Sequence, residues 1–139
     1  MNGAAGPVLG IDPGTRKCGI AVITGLASVP LALEVVPFDE FAERIVSLVA
    51  TYRVRAIALG GGTHTSEVAA MVAGLGLPVG VVNERETTLL ARSRYFAANP
   101  PRGWRRLVPR GMLLPPRPID DYAALLIAER FLESEQTAP

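Results

Sequence analysis

The chain has one cysteine, one histidine and one tryptophan among its 139 residues. A single cysteine, Cys18, excludes an internal disulfide and predicts a reducing, cytoplasmic setting. No apolar run approaches the roughly 18 residues that a membrane-spanning helix needs. The opening "MNGAAGPV" lacks the basic stretch and apolar core of a secretory signal, so the expectation is a soluble protein with no membrane partner. A chain of this length predicts one domain over 1–139, and such a domain can bury about 68–70% of its unfolded surface without disulfides. The net charge of +1 by itself favours no class of partner.

The charge is unevenly placed. Between Arg85 and Ile119 stand eight arginines and one acid, a local excess of +7, while the rest of the chain carries −6. Such asymmetry predicts a basic patch, and a phosphate-facing surface is its favoured reading over a merely solvated one. Six of the twelve prolines fall within 99–118, so that segment is a loop rather than a helix. It holds Arg102, Arg105, Arg106 and Arg110 around Trp104. That pattern suits single-stranded nucleic acid, where an aromatic ring stacks on a base and arginines meet phosphates. Trp104 fits equally a role in pinning the loop to the core.

Elsewhere the chain alternates apolar runs with helical periodicity. Strands are expected at Pro7–Ile11, Cys18–Thr24, Pro30–Val36, Val54–Leu59 and Pro78–Val82. Helices are expected at Asp39–Tyr52, Thr63–Leu75, Thr87–Ala98 and Ile119–Ser134. Three strands in succession followed by alternating strands and helices predict an α/β fold: a mixed five-stranded sheet with an antiparallel edge, flanked by helices. Functional residues of such sheets gather beyond the carboxyl ends of the parallel strands.

Three acids fall at element ends that this sheet can bring together. Asp12 ends the first strand, Glu84 follows "VGVV", and Asp120 opens the last helix. Converging carboxylates repel one another unless a cation joins them, and hard oxygen donors suit Mg²⁺ or Mn²⁺. Two such ions about 4 Å apart can clamp the attacking and leaving oxygens of a phosphodiester displacement. Gly10, Gly14 and Gly19 around Asp12 are expected to let a phosphate approach the backbone.

Taken together, "LGIDPGTRKCGIAV", "NERETTLLA" and "IDDYAALLIAERFL", in that order, resemble the YqgF family. These are RuvX-type, RuvC-like members of the ribonuclease H superfamily, linked to Holliday junction resolution or pre-16S rRNA processing. The likeness runs from Val8 to Leu132 and rests on the three motifs jointly. It implies a ribonuclease H-like fold and a metal-dependent nuclease. By the resemblance, Asp12, Glu84 and Asp120 are the metal-binding and catalytic acids. Asp121, Asn83, Thr15 and Thr87 are groups that would orient them, and Arg16 and Arg85 join the loop residues as nucleic-acid contacts. The partners expected are rRNA precursor, or ribosomal particles, or branched DNA, for a monomer or homodimer. The chain departs from the family in carrying Asn83-Glu84-Arg85 for the usual Asp-Glu-Arg. It also has "LGGGTHT" where the family has Gly-Leu-Pro.

Plainer readings stand beside these. Asp12 could serve an Asp-Pro-Gly turn, Glu84 could be solvated before a helix, and Asp120 could be a helix cap. His64 reads as a surface or capping residue, and Cys18 as small apolar filling. As whole-protein alternatives, Asn83 motivates a nucleic-acid-binding ribosome-maturation factor with weak or no catalysis. Asp-x-Gly-Thr resembles the phosphate loop of actin-like phosphotransferases, which need a second such lobe.

Overall fold

The computed structural model describes residues 6–26, 28–61, 65–82, 87–100 and 120–137, with Gly103 and Leu107. Its strands are β1 (Val8–Asp12), β2 (Lys17–Ile23), β3 (Ala32–Pro37), β4 (Ala56–Gly60) and β5 (Val79–Val82). Its helices are α1 (Phe38–Tyr52), α2 (Thr65–Ala73), α3 (Thr87–Ala98) and α4 (Asp120–Thr137). The order of elements is the one the apolar pattern predicts, and only the ends move. β1 extends to Asp12 because its ladder with β2 continues to the pair Asp12–Gly19. β4 begins at Ala56 rather than Val54, because Arg53 closes α1 in the left-handed conformation (φ 54°) and the chain must turn before pairing.

The sheet runs β3-β2-β1-β4-β5. β1, β2 and β3 are antiparallel, and β1, β4 and β5 are parallel, so the carboxyl ends of the last three share one edge. This is the mixed five-stranded sheet with an antiparallel edge that the apolar pattern predicts. One face carries Leu9, Ile11, Cys18, Ile20 and Ile57 into a core closed by Phe41, Ile45 and Leu48 of α1 and Val68 and Val72 of α2. The free thiol of Cys18 is fully buried there, as expected of apolar filling. The other face, with Val8, Ala21, Ile23 and Ala58, is covered by Ala124, Ile127, Ala128 and Leu132 of α4.

Helix α4 lies unusually deep on that face. At Gly10 a Cβ would meet the Ala124 carbonyl oxygen and stand 2.8 Å from Ala128 Cβ. At Gly19 it would collide with the Asp120 carbonyl and stand 2.9 Å from Asp121 N. At Gly14 the space is taken by the Lys17 carbonyl within the turn. The expectation that these three glycines open the backbone to a phosphate is therefore corrected. Their missing side chains are filled by protein, two of them by the helix that carries Asp120.

Outside the sheet, α3 packs on α4 through Tyr95, whose ring meets Tyr122 edge-on at 5.7 Å. Arg94 grips Glu129 of α4 with two hydrogen bonds of 2.7 and 3.1 Å. On the opposite face, Glu34 of β3 accepts two from Arg44 of α1, at 2.5 and 2.8 Å. The Arg44 hydrogen bond holds the Glu34 carboxyl below its ordinary range, against partial burial. A lowered folded pKa gives stability that is present above the unfolded value and lost as pH falls through the folded one. Glu34→Gln should therefore lower stability at neutral pH, by under about 1 kcal/mol for a pair this exposed. Thermal melts should show that gap closing in acid; a gap independent of pH would contradict the ion pair.

Candidate active site

Strand alternation decides what meets at the sheet's carboxyl edge. On β1 the even positions Val8 and Gly10 face α4, which puts Asp12 on that face. Gly19 of β2 is its cross-strand partner, and the first residue of α4 rests on Gly19. Gly19 thus has Asp12 beside it in the sheet and the backbone of Asp120 resting on it. Any larger residue at 19 would push them apart.

Both acids are half-buried. Burial pushes the Asp120 carboxyl up, the charge of Lys17 pulls it down, and that of Asp121 raises it again. The buried Cys18 thiol is pushed up mainly by burial, and the charges of Asp12 and Asp120 both add to it. Asp121 is 5% exposed, and its Oδ1 accepts from the Tyr122 N–H at 3.0 Å. Among the described residues no group of three or more His, Cys, Asp or Glu gathers as a metal site.

No family model matches the chain. A protein of Pelotomaculum thermopropionicum named "Putative pre-16S rRNA nuclease" is 31% identical over 144 residues, covering 92% of this chain and 87% of its own. The chain belongs to the YqgF family. A Coxiella burnetii protein of the same name is 27% identical over 92% of this chain and 93% of its own. Among solved structures, Thermus thermophilus RuvC in complex with a Holliday junction substrate matches with a TM-score of 0.62 at 20% identity, over 94% of this chain and 96% of that one. The fowlpox virus resolvase bound to Holliday junction DNA matches at 0.60 and 11% identity, over 93% and 98%. At these identities the likeness is one of fold, and it is the ribonuclease H-like fold that the YqgF motifs imply.

Of the residues those motifs single out, the structure brings Asp12, Asp120 and Asp121 to one edge. Thr15 and Arg16 are exposed in the turn between β1 and β2. Thr87 is the first residue of α3. Asn83, Glu84 and Arg85 lie outside the described residues, as do His64, Arg102, Trp104, Arg105, Arg106 and Arg110. Glu84 follows the end of β5 by two positions in sequence, and Val82, the last residue of that strand, packs on the α4 side.

The +7 segment needs one revision. Arg94 is committed to Glu129 and ties α3 to α4 rather than facing a phosphate. Charge counting misses this because the partner is 35 residues away. Lys17 is the residue that the motifs do not single out. Alternation from Gly19 puts it on the α4 face, next to the acids, and that signal is legible once Gly19 is known to face α4.

Proposed function

We propose that the chain is a divalent-metal-dependent endonuclease that hydrolyses phosphodiester bonds in structured nucleic acid. Precursor rRNA is the favoured substrate and branched DNA the other. The observation that carries this reading is that Gly19 has Asp12 as its ladder partner and the backbone of Asp120 resting on it, which brings both acids to the carboxyl edge of the sheet. Two half-buried carboxylates with a third acid beside them form a hard, anionic oxygen set, which suits Mg²⁺ or Mn²⁺ and would be poorly tolerated uncompensated. Asp12, Asp120 and Glu84 would hold the metal. Bound there, it would supply Lewis-acid polarisation of a phosphate and a more acidic water.

The chain's own residues do the rest. Asp120 is fixed by the start of α4, so its carboxylate is held rather than recruited. Asp121, bonded to the Tyr122 N–H, braces the first turn of that helix. The family name supports RNA, and the fold shared with junction-bound resolvases supports branched DNA. The single cysteine suits the cytoplasm, and no described helix is long and apolar enough to cross a membrane.

Asn83 favours a second reading, a ribosome-maturation factor that binds nucleic acid with little catalysis, because an amide there offers an oxygen without charge. One preparation assayed with Mn²⁺ against precursor rRNA, single-stranded RNA and a four-way DNA junction separates the two. Cleavage of a structured substrate that stops on chelation supports the nuclease; tight binding without cleavage of any substrate supports the factor.

The arginine-rich loop carries a separate expectation. Changing Arg105 and Arg106 together to Ala should weaken binding for all sequences. It should flatten the dependence of log affinity on log salt by about 1.8, at roughly 0.9 per lost duplex phosphate contact. An unchanged slope in a salt titration would remove the loop from the interface.

A further inference from the structure

We infer that Lys17 is a phosphate-binding residue of this site, its ammonium meeting the nucleic-acid backbone beside the Asp12–Asp120 pair. The inference rests on the nuclease reading above and adds to it the group that seats the polyanion.

Lys17 is the sole lysine among the fourteen basic residues of the chain. It opens β2 and is exposed. The turn before it is tight: the Lys17 carbonyl stands where a side chain of Gly14 would be, and this binds the start of β2 to the end of β1. Along β2, residues 17, 19, 21 and 23 share a face. Ala21 and Ile23 pack under α4, and Gly19 touches its first residue. Lys17 therefore projects from the α4 side one step beyond Gly19, at the rim where the helix begins. Its positive charge acts on Asp120 from there.

Three other described cations near the sheet are already used, while Arg16 is exposed in the turn just before Lys17. Arg44, Arg55 and Arg94 each hold a carboxylate through two bonds, at Glu34, Glu135 and Glu129. Lys17 makes no ion pair among the described residues. A lysine whose only task was to neutralise the acids would lie in contact with one. Instead it stands off, on a flexible stem that carries a compact point charge. With a divalent cation held by the carboxylates, like-charge repulsion would favour the ammonium meeting a phosphate oxygen rather than the acids. The acids hold metal, and the neighbouring cation attracts the anion that the acids alone would repel.

The test compares Lys17→Met and Lys17→Arg with the wild type. Binding is measured to a four-way DNA junction and to an RNA duplex, with Ca²⁺ replacing Mn²⁺ so that binding is read without cleavage. Lys17→Met should flatten the log affinity–log salt slope on DNA by about 0.9. Its defect should then be about 3.5 times larger at 50 than at 200 mM salt. Lys17→Arg should keep the wild-type slope. Mn²⁺ binding by Lys17→Met should be as tight as in the wild type or tighter, since a nearby cation has gone. An unchanged salt slope with only a lowered melting temperature would make Lys17 a structural counter-ion and overturn the inference. Weaker Mn²⁺ binding would also overturn it, since Lys17 would then act by ordering the acids. A wild type that binds neither probe would sink the nuclease reading itself, and Lys17 with it.

Discussion

Asp12→Asn and Asp120→Asn should each lower Mn²⁺-dependent cleavage by at least about a hundredfold, beyond what the loss of an outer supporting group costs. Each change keeps the shape of the side chain and removes one anionic oxygen from the two acids placed at Gly19. Neither should unfold the protein. Burial raises the Asp120 carboxyl above its ordinary range, so the folded state favours the proton. Stability then falls as pH rises through that range, and a non-titrating amide avoids the loss. The metal-free Asp120→Asn variant should thus melt at or above the wild-type temperature at neutral pH. Asp121→Asn is the informative neighbour. Its carboxylate is more buried and already accepts from the Tyr122 N–H, so its loss should cost no more than about tenfold. A dead Asp121→Asn beside an active Asp120→Asn would shift the ligand to the adjacent position of the helix.

Gly19→Ala should produce the largest loss of stability of any single methyl added to the described sheet. The new Cβ would strike the Asp120 carbonyl and stand 2.9 Å from Asp121 N, both of them backbone atoms that cannot swing away as a flexible side chain could. Overpacking costs about 1–3 kcal/mol and sometimes more. At the upper end, a domain of this size would lose on the order of 10 °C in Tm. Activity should fall further than stability alone explains, because relief comes by lifting the start of α4 and moving Asp120 from Asp12. Gly25→Ala is the matched control: its Cβ would meet only Ser28 Oγ at 3.5 Å. Thermal melts of the two variants check the claim. Equal Tm values would mean that α4 does not rest on Gly19.

The alternation of apolar runs and helical periodicity made the order of elements and the mixed sheet legible, since both depend on local pattern and on few permitted connections. The acids at the ends of β1 and at the start of α4 were legible for the same reason. What Gly10 and Gly19 face was not. Whether a missing Cβ makes room for a ligand or for a helix depends on α4, which stands more than a hundred positions later in the chain. Arg94 shows the same limit: its charge reads as part of a basic patch until Glu129 is found against it. Lys17 lay between. Its charge was visible, but its face became readable only from the contacts of Gly19.

The central claim is that Asp12 and Asp120 together hold a divalent cation. Mn²⁺ binding, measured by calorimetry or electron paramagnetic resonance on wild type, Asp12→Asn and Asp120→Asn without nucleic acid, tests it apart from any choice of substrate. The account predicts saturable Mn²⁺ binding by the wild type, and its loss or marked weakening in both variants while their folds persist. Equal Mn²⁺ affinity in all three proteins, or no binding by the wild type, would contradict it.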